Sequence, residues 1–312
     1  MKHLSQSRAG MFVVPQARLI RVFTVLVFLV LVAASAAAGP IFQWEIKSET
    51  ATLTLVGSIH VGKADFFPLA ASFEDAFTAS DALAVEVNMA DPANMQQAQI
   101  LIMQKGMLPG ETTLKDRLSP ELMIRLEAFA AEREVPMAMY QKFKPGIVAM
   151  ILAMGEYQRQ GFDPELGIDK HFLDQAGEVA KPILELEKLE DQLDLFFAID
   201  DQLDDVILDQ FMDEVGELAE QLEKMANLWK TGDVDGLDKF LQEQIGDDPS
   251  IAGFYRQLMD DRNVKMAETI DTWLHGDQDI FVVVGAGHFA GRMGILHLLA
   301  EKGWKITQSS AS

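Results

Sequence analysis

The sequence contains no cysteine. A disulfide framework, a thiol nucleophile and lipid attachment at a cysteine are therefore excluded, so a hydrophobic core must stabilise the fold. Basic residues are scarce as well: 26 lysines and arginines stand against 48 aspartates and glutamates, which gives a net charge of −22. This acidic protein is not expected to bind nucleic acid, because displacing counterions from a polyanion needs clustered cations. The G-x-S-x-G motif of serine hydrolases is also absent.

Long apolar runs are confined to the start of the chain. Four basic residues within positions 1–21 precede an apolar run over 22–34, which gives way to the small residues 35–39. This pattern predicts a secretory signal peptide over residues 1–38 and a periplasmic or secreted protein. An uncleaved anchor helix is the alternative, but the apolar stretch 22–38 has only 17 residues. After cleavage we expect no stable membrane span and, with four basic residues removed, a net charge of −26.

Strand and helix patterns alternate near both ends of the chain. Segments 44–46 and 52–56 predict a hairpin, and after a helical pattern a strand follows at 83–88. Near the C-terminus, a strand at 280–284 is likewise followed by a helix and by a last strand at 304–307. This alternation favours an α/β fold with a mixed central sheet, built from the N-terminal and C-terminal strand–helix units and flanked by helices.

Helical periodicity dominates between those two units. It covers about residues 91–275 and predicts a large helical insertion, which a strand at 181–186 interrupts. We expect residues 39–308 to form a single domain and residues 309–312 to be a disordered tail.

Two G-x-x-H strings follow strand-like runs at opposite ends of the chain. The first runs from Gly57 to His60 and the second from Gly285 to His288. In open α/β sheets, reactive groups gather beyond the carboxyl ends of strands, so a sheet that brings these two ends together would pair the imidazoles. Gly57, Gly285 and Gly287 permit tight turns and a close approach of the backbone to a ligand.

A carboxylate in a predicted strand is the third polar group of this set. In a central strand Glu86 would need a cation, a metal or several donors, whereas in an edge strand it would simply be solvated. Each histidine alone could equally be a hydrogen-bonded structural residue. Together, His60, Glu86 and His288 have the composition of many catalytic zinc, manganese or iron sites. The helical H-E-x-x-H motif is absent, so separate strands would have to assemble such a site.

One of the two strings overlaps a nucleotide-binding signature. Residues 285–290 fit G-x-G-x-x-A between a strand and a helix. The position expected for a ribose-binding acid falls near Lys305, however, and the chain ends too soon for the complete nucleotide-binding unit. A dinucleotide site is therefore not expected.

Four further polar residues are supporting candidates. Arg262 and Asn263 are adjacent in a long helical pattern, where they are either ordinary surface residues or part of the site. Asp169 follows a Gly-Ile pair, and Glu185 lies on the predicted middle strand.

Four segments of this chain resemble the TraB/GumN family in their order and spacing, namely residues 55–62, 84–87, 261–263 and 284–288. The eukaryotic relatives of this family include the Tiki proteases. The resemblance spans about residues 44–307. It implies a core of the Tiki and erythromycin-esterase kind, with His60, Glu86 and His288 in a metal-dependent hydrolytic site and with Arg262 and Asn263 lining it. The Tiki branch is similar to a metallopeptidase that uses manganese or cobalt, and members from conjugation systems are linked to the handling of peptide pheromones. The GumN branch, which this chain resembles most, has no secure substrate.

The leading hypothesis is an exported metal-dependent hydrolase that acts on a peptide or another small molecule. Its catalytic set would be His60, Glu86, His288 and Arg262, with the histidines as metal ligands or acid–base groups. Glu86 would complete the shell of a manganese, cobalt or zinc ion or act as general base. A non-catalytic protein that binds a peptide or glycan in the same cleft is the main alternative, and an accessory role in surface polysaccharide production is a third.

Overall fold

Two antiparallel strands open the described part of the chain. The computed structural model describes residues 39–197, 201–245, 252–253 and 255–311, and the predicted signal peptide lies outside these residues. Strand β1 (Pro40–Lys47) pairs with strand β2 (Thr52–Ser58) in antiparallel register. The predicted hairpin is therefore confirmed.

Four further strands complete a mixed sheet. Strands β3 (Ala82–Val85), β4 (Ile183–Glu185), β5 (Ile280–Gly285) and β6 (Ile306–Ser310) join the hairpin in the order β4-β3-β5-β2-β1-β6. The pairs β4/β3, β3/β5 and β5/β2 are parallel, whereas β1 is antiparallel to both β2 and β6. Every residue of β5 is buried, as is typical of a central parallel strand covered on both faces. The predicted α/β class with a mixed central sheet is confirmed.

Helices make up most of the chain between β3 and β5. One helix precedes β3 and one follows β5. In chain order, the α-helices of the described residues are α1 Ala71–Ala79, α2 Pro92–Lys105, α3 Leu114–Arg117, α4 Pro120–Glu132, α5 Pro145–Arg159, α6 Ile168–Glu178, α7 Leu189–Phe197, α8 Asp201–Glu214, α9 Leu218–Lys230, α10 Val234–Ile245, α11 Asp261–Leu274 and α12 Ile295–Glu301. One cluster of buried apolar side chains reaches from Ile41 to Leu299. Within the described ranges, no helix is both long enough and apolar enough to cross a membrane.

Local sequence signals explain several helix starts. Asp91 accepts a hydrogen bond from the backbone N–H of Ala93 at the start of α2, and Ser119 accepts one from Leu122 at the start of α4. In both helices, and in α5, a proline occupies the first turn, where its missing N–H leaves no hydrogen bond unmade.

Two predicted boundaries are wrong. Strand β3 ends at Val85, so Glu86 lies just past the strand and not inside it. The side chain of Asn88 accepts a hydrogen bond from the N–H of Ala90, and this local turn ends the extended run. At the other end of the chain, β6 extends through Ser310, two residues into the predicted tail, because it pairs with β1.

A close approach of β2 to its neighbours requires Gly57. A Cβ atom at this position would overlap the ring of Phe42 and lie 2.9 Å from the Cβ of Ala286. The carbonyl oxygen of Gly57 also accepts a 2.7 Å hydrogen bond from the indole N–H of Trp229, so the strand cannot retreat without losing that bond. The glycine therefore fixes the packing immediately before the first histidine.

We expect Gly57→Ala to lower the free energy of unfolding by about 1–3 kcal/mol, the usual cost of overpacking a core. Gly155→Ala, in the interior of α5, is the control, because a Cβ there meets nothing within 4 Å. It should raise the free energy of unfolding by about 0.5–1 kcal/mol, since alanine is the better helix former. Urea denaturation followed by circular dichroism measures both changes. Equal effects of the two substitutions would contradict the packing role of Gly57.

Candidate functional site

The two histidines and the glutamate lie beyond the carboxyl ends of three adjacent strands. His60 follows β2 by two residues and Glu86 directly follows β3, while His288 lies in a single 3-10 turn that follows β5. In the parallel register Ser58 lies opposite Gly285, so these strand ends are level. The structure therefore brings the two G-x-x-H strings and the carboxylate to one edge of the sheet.

A hollow at Gly285 is the point on which the three groups converge. A Cβ atom built on this glycine would lie 3.2 Å from Oε1 of Glu86, 3.5 Å from Nε2 of His60 and 3.5 Å from Cδ2 of His288. Since each atom is within 3.5 Å of one point, no two of them are more than twice that distance apart. The missing side chain of Gly285 leaves the space in which a ligand could contact all three groups.

His288 is held as a neutral imidazole. It is buried, and its Nδ1 lies 2.5 Å from the side-chain oxygen of Asn263, which can only accept, so Nδ1 carries the proton. Its Nε2 then presents a lone pair and lies 3.8 Å from Oε2 of Glu86. Burial, together with the positive charge of Arg262, lowers the pKa of His288 to about 3. A neutral imidazole of this kind suits a metal ligand, whereas its lowered pKa makes it a weak proton acceptor.

His60 has the opposite protonation state. Its Nδ1 lies 3.3 Å from Oδ2 of Asp169, and its side chain is 48% exposed. Removal from water acts to lower the pKa of His60, but the negative charge and hydrogen bond of Asp169 outweigh it and raise that pKa to about 9. At neutral pH His60 is therefore cationic and His288 neutral, and both rings border the same hollow.

Arg262 holds Glu86 in its charged form. Its Nη2 donates to Oε2 of Glu86 at 2.5 Å and to Oε2 of Glu187 at 2.6 Å, while Gln192 donates to the same two oxygens. Burial acts to raise the pKa of Glu86, but the positive charges of Arg262 and protonated His60 and the N–H of Gly285 together hold it well below its usual range. Burial acts to lower the pKa of Arg262, and the two glutamates outweigh this and raise it.

These groups line a cavity of about 340 Å³, a size typical of ligand pockets. Its apolar wall includes Val85, Leu241 and Leu258. Two buried polar atoms in it have no hydrogen-bond partner, namely Oγ of Ser58 and Oδ1 of Asp169. A buried polar group is normally paired, so these atoms mark positions where a bound molecule could supply the missing partner.

The donor types fit a divalent ion. Nδ1 of each histidine is held by an oxygen, as in most metal-ligating histidines, so each ring would bind an ion through Nε2, His60 after losing the proton that its Nε2 carries at neutral pH. Glu86 accepts two hydrogen bonds at Oε2 but only that of Gly285 at Oε1, so the oxygen that faces the hollow keeps acceptor capacity. Within the part of the chain that the structure describes, no three such side chains are spaced as a preformed metal site.

The supporting candidates have different positions. Asn263 and Asp169 hold the two histidines, and Gly287 lines the cavity. Glu185 lies outside it, where it accepts hydrogen bonds from the backbone of Asn88 and from a side-chain amide of α2.

Sequence reasoning missed Ser58, Glu187 and Gln192. Glu187 hydrogen-bonds through its backbone to Glu86, so the pairing of β3 with β4 continues past both strands and places the two carboxylates side by side. The available signal was Arg262, which bridges these two carboxylates in the structure. If an arginine in the site is buried, its guanidinium needs acidic partners.

The fold and the cavity define an α/β protein with two histidines and a carboxylate at the carboxyl edge of its parallel strands. The model of the TraB/PrgY/gumN family matches residues 42–308, and the chain belongs to this family. It is similar to the uncharacterized protein YbaP of Escherichia coli K12 and to that of Shigella flexneri, each 25% identical over 247 residues that cover 79% of this chain and 84% of the relative. No solved structure matches it, so the Tiki-like detail of the core stays a prediction.

We expect Arg262→Gln to destabilise the protein by about 3–5 kcal/mol, because it leaves two buried carboxylates without their cation. Arg125→Gln is the matched control. Arg125 also bridges two carboxylates, Asp209 and Asp213, but at the surface, so its loss should cost at most about 1 kcal/mol. Urea denaturation at neutral pH compares the two variants.

The effect of Arg262→Gln should also depend on pH. In the native protein the pKa of Glu86 is held below its ordinary value of 4.5, so the stabilisation is present above that pH and is lost in acid. The difference between wild type and variant should therefore shrink as the pH falls below about 4.5. A difference that stays constant through this range would argue against the charge role.

Proposed function

We propose that this protein is an exported, metal-dependent hydrolase that acts on peptides. The observation that supports this best is the convergence of His60 Nε2, Glu86 Oε1 and the His288 ring on the hollow at Gly285. In each histidine the other ring nitrogen is held by an oxygen, so the rings are oriented before a ligand binds. Export belongs to the proposal because of the signal-peptide pattern over residues 1–38.

His60, Glu86 and His288 would hold the ion. A bound manganese, cobalt or zinc ion supplies Lewis acidity, which polarises a carbonyl and lowers the pKa of water. His288 contributes a neutral imidazole whose orientation Asn263 fixes. Glu86 contributes negative charge more readily than basicity, because its strongly lowered pKa makes it a poor proton acceptor.

Two roles are open to His60. As a ligand, it would bind the ion through Nε2. As a general acid, it would protonate the leaving amine, which its raised pKa allows at neutral pH. His60→Gln separates these roles in a binding measurement, since loss of a ligand should weaken metal affinity at least about tenfold and loss of an acid should not.

A non-catalytic binding protein is the second candidate. It is favoured by one observation: in the described ranges, the three donors do not have the spacing of a preformed metal site. It predicts that a peptide is held in the cavity and protected, without product.

We expect His60→Ala and His288→Ala each to reduce peptide hydrolysis at least about a hundredfold, the usual contribution of a positioned acid–base or ligand group. A library of quenched fluorescent peptides, assayed with manganese, cobalt and zinc and with a chelator, measures turnover. His275→Ala and His297→Ala are the controls, because these histidines lie outside the cavity. Circular dichroism checks that each variant is folded. Unchanged turnover in the two cavity variants would refute the proposed site, and binding without product would favour the second candidate.

We expect Gly285→Ala to fold normally but to bind metal and turn over peptide about a hundredfold less well, because it fills the space between the three groups. Contacts of 3.2–3.5 Å need shifts of only a few tenths of an ångström, so the fold can accept the methyl group. Gly177→Ala, in α6, has open space around its Cβ and is the control. Calorimetric titration with each metal and the peptide assay test both variants. Full metal affinity in Gly285→Ala would place the ion elsewhere.

A further inference from the structure

A second, larger cavity opens beside the one that holds the histidines. Its volume is about 830 Å³, and it shares His60, Met89 and Asp169 with the inner cavity. We call this second cavity the outer groove. Because the two cavities share these three residues, a molecule long enough to fill the inner cavity would continue into the outer groove.

One wall of the outer groove is uncharged. It is formed by Met89 and by the first turns of α2, which contribute Met95, Gln96 and Gln99. Between its Asp91 cap and Lys105, α2 carries no charged residue, although charged residues make up 24% of the chain. Met95 is 47% exposed. Flexible, polarisable methionine side chains of this kind adapt to apolar partners of varied shape.

The opposite wall is acidic. Glu165, Asp169 and Asp174 line it together with two cations, Lys170 and His60, the latter protonated at neutral pH. Lys170 lies 2.7 Å from Asp174 and 3.4 Å from Glu165, so its charge is already shared between two of these carboxylates. The wall therefore keeps net negative charge, which favours a basic ligand and disfavours an acidic one.

Unpartnered polar atoms mark the path between the two cavities. Oδ1 of Asp169, at the junction, is buried and lacks a hydrogen-bond partner. Deeper in the inner cavity, Ser58 is only 1% exposed, and its hydroxyl also lacks a partner. Leaving such groups unpaired costs about 1–3 kcal/mol each. Both atoms are closed to water, so a ligand that pairs them gains specificity and affinity once the neighbouring side chains shift to admit it.

We propose that the outer groove is a substrate subsite, which receives the part of a peptide chain next to the bond held in the inner cavity and selects segments with both apolar and basic side chains. This inference rests on the proposed function. The apolar side chains contact the methionine wall, and the basic side chains lie against the carboxylates of the α6 side.

A peptide fits these walls better than a glycan does. Sugar rings bind most strongly when their C–H faces stack on aromatic side chains. Among the residues that the structure describes, neither cavity is lined by a phenylalanine, tyrosine or tryptophan. An extended peptide, in contrast, has backbone N–H groups that can donate to the carboxylate of Asp169 and carbonyl groups that can accept from the hydroxyl of Ser58.

Binding of labelled peptides to the full chain tests the proposal without requiring turnover. We would measure fluorescence anisotropy in the presence of a chelator with three short peptides of equal length, which alternate leucine with lysine, leucine with glutamate, and serine with lysine. The leucine–lysine peptide should bind at least about tenfold more tightly than the other two, since only it matches both walls.

Single substitutions separate the two walls. Met95→Gln and Asp174→Asn should each weaken binding of the leucine–lysine peptide about three- to fivefold, the effect of one partly exposed contact. The matched controls are Met103→Gln on α2 and Glu178→Gln on α6, because both residues are exposed and neither lines the groove. The control variants should bind as the wild type does.

Failure of this inference can be told apart from failure of the proposed hydrolase. Binding that ignores peptide charge, or that the controls weaken as much as the groove variants, overturns the subsite. Selective binding with no hydrolysis under any metal keeps the subsite and rejects the hydrolase. Hydrolysis whose KM is the same in Met95→Gln, Asp174→Asn and wild type keeps the hydrolase and rejects the subsite.

Discussion

The buried ion pairs of Arg262 are the interaction on which the site depends. The guanidinium lies between Glu86 and Glu187, and it also donates to the carbonyl of Leu258. Glu86 directly follows β3, and Glu187 lies two residues beyond the end of the neighbouring strand β4. The three ionised side chains are each at most 12% exposed, so each charge has lost most of its hydration and relies on the others. These contacts join positions 75 and 176 residues apart and thus hold three distant segments together. A π turn over Arg256–Asp260 immediately precedes the helix that carries the arginine.

Sheet topology does the remaining positioning. Because β2, β3 and β5 are parallel neighbours, their carboxyl ends reach the same edge, and polar groups that follow them meet although most of the chain separates them. Gly285 makes this meeting useful, because any side chain there would occupy the space between the imidazoles and the carboxylate. Arg262, which Glu187 also binds, then keeps Glu86 fixed in front of that space.

Features with a local cause could be predicted from the sequence, and features that arise from distant contacts could not. The hairpin, the buried β5 and the paired histidines follow from alternation, apolar runs and strand-end glycines. The choice between Glu185 and Glu187 does not, because on a three-residue strand the pattern cannot tell which carboxylate faces the arginine. Glu185 instead hydrogen-bonds to the loop after β3 and to the start of α2, while Glu187 accepts hydrogen bonds from Arg262. The end of β3 at Val85 could not be predicted either, because the alternation continues through Asn88, where a side-chain turn follows that strand propensity does not describe.

The two imidazoles differ because their partners differ in charge. Asp169 places a carboxylate on His60, while Asn263 places a neutral amide oxygen on His288, and the guanidinium of Arg262 acts against protonation of both rings but is outweighed only at His60. The partners of the two rings therefore determine their charge at neutral pH: Asp169 stabilises the protonated form of His60, and Asn263 accepts from His288 in its neutral form. This asymmetry depends on the chemistry of Asp169 and Asn263 as much as on the histidines themselves.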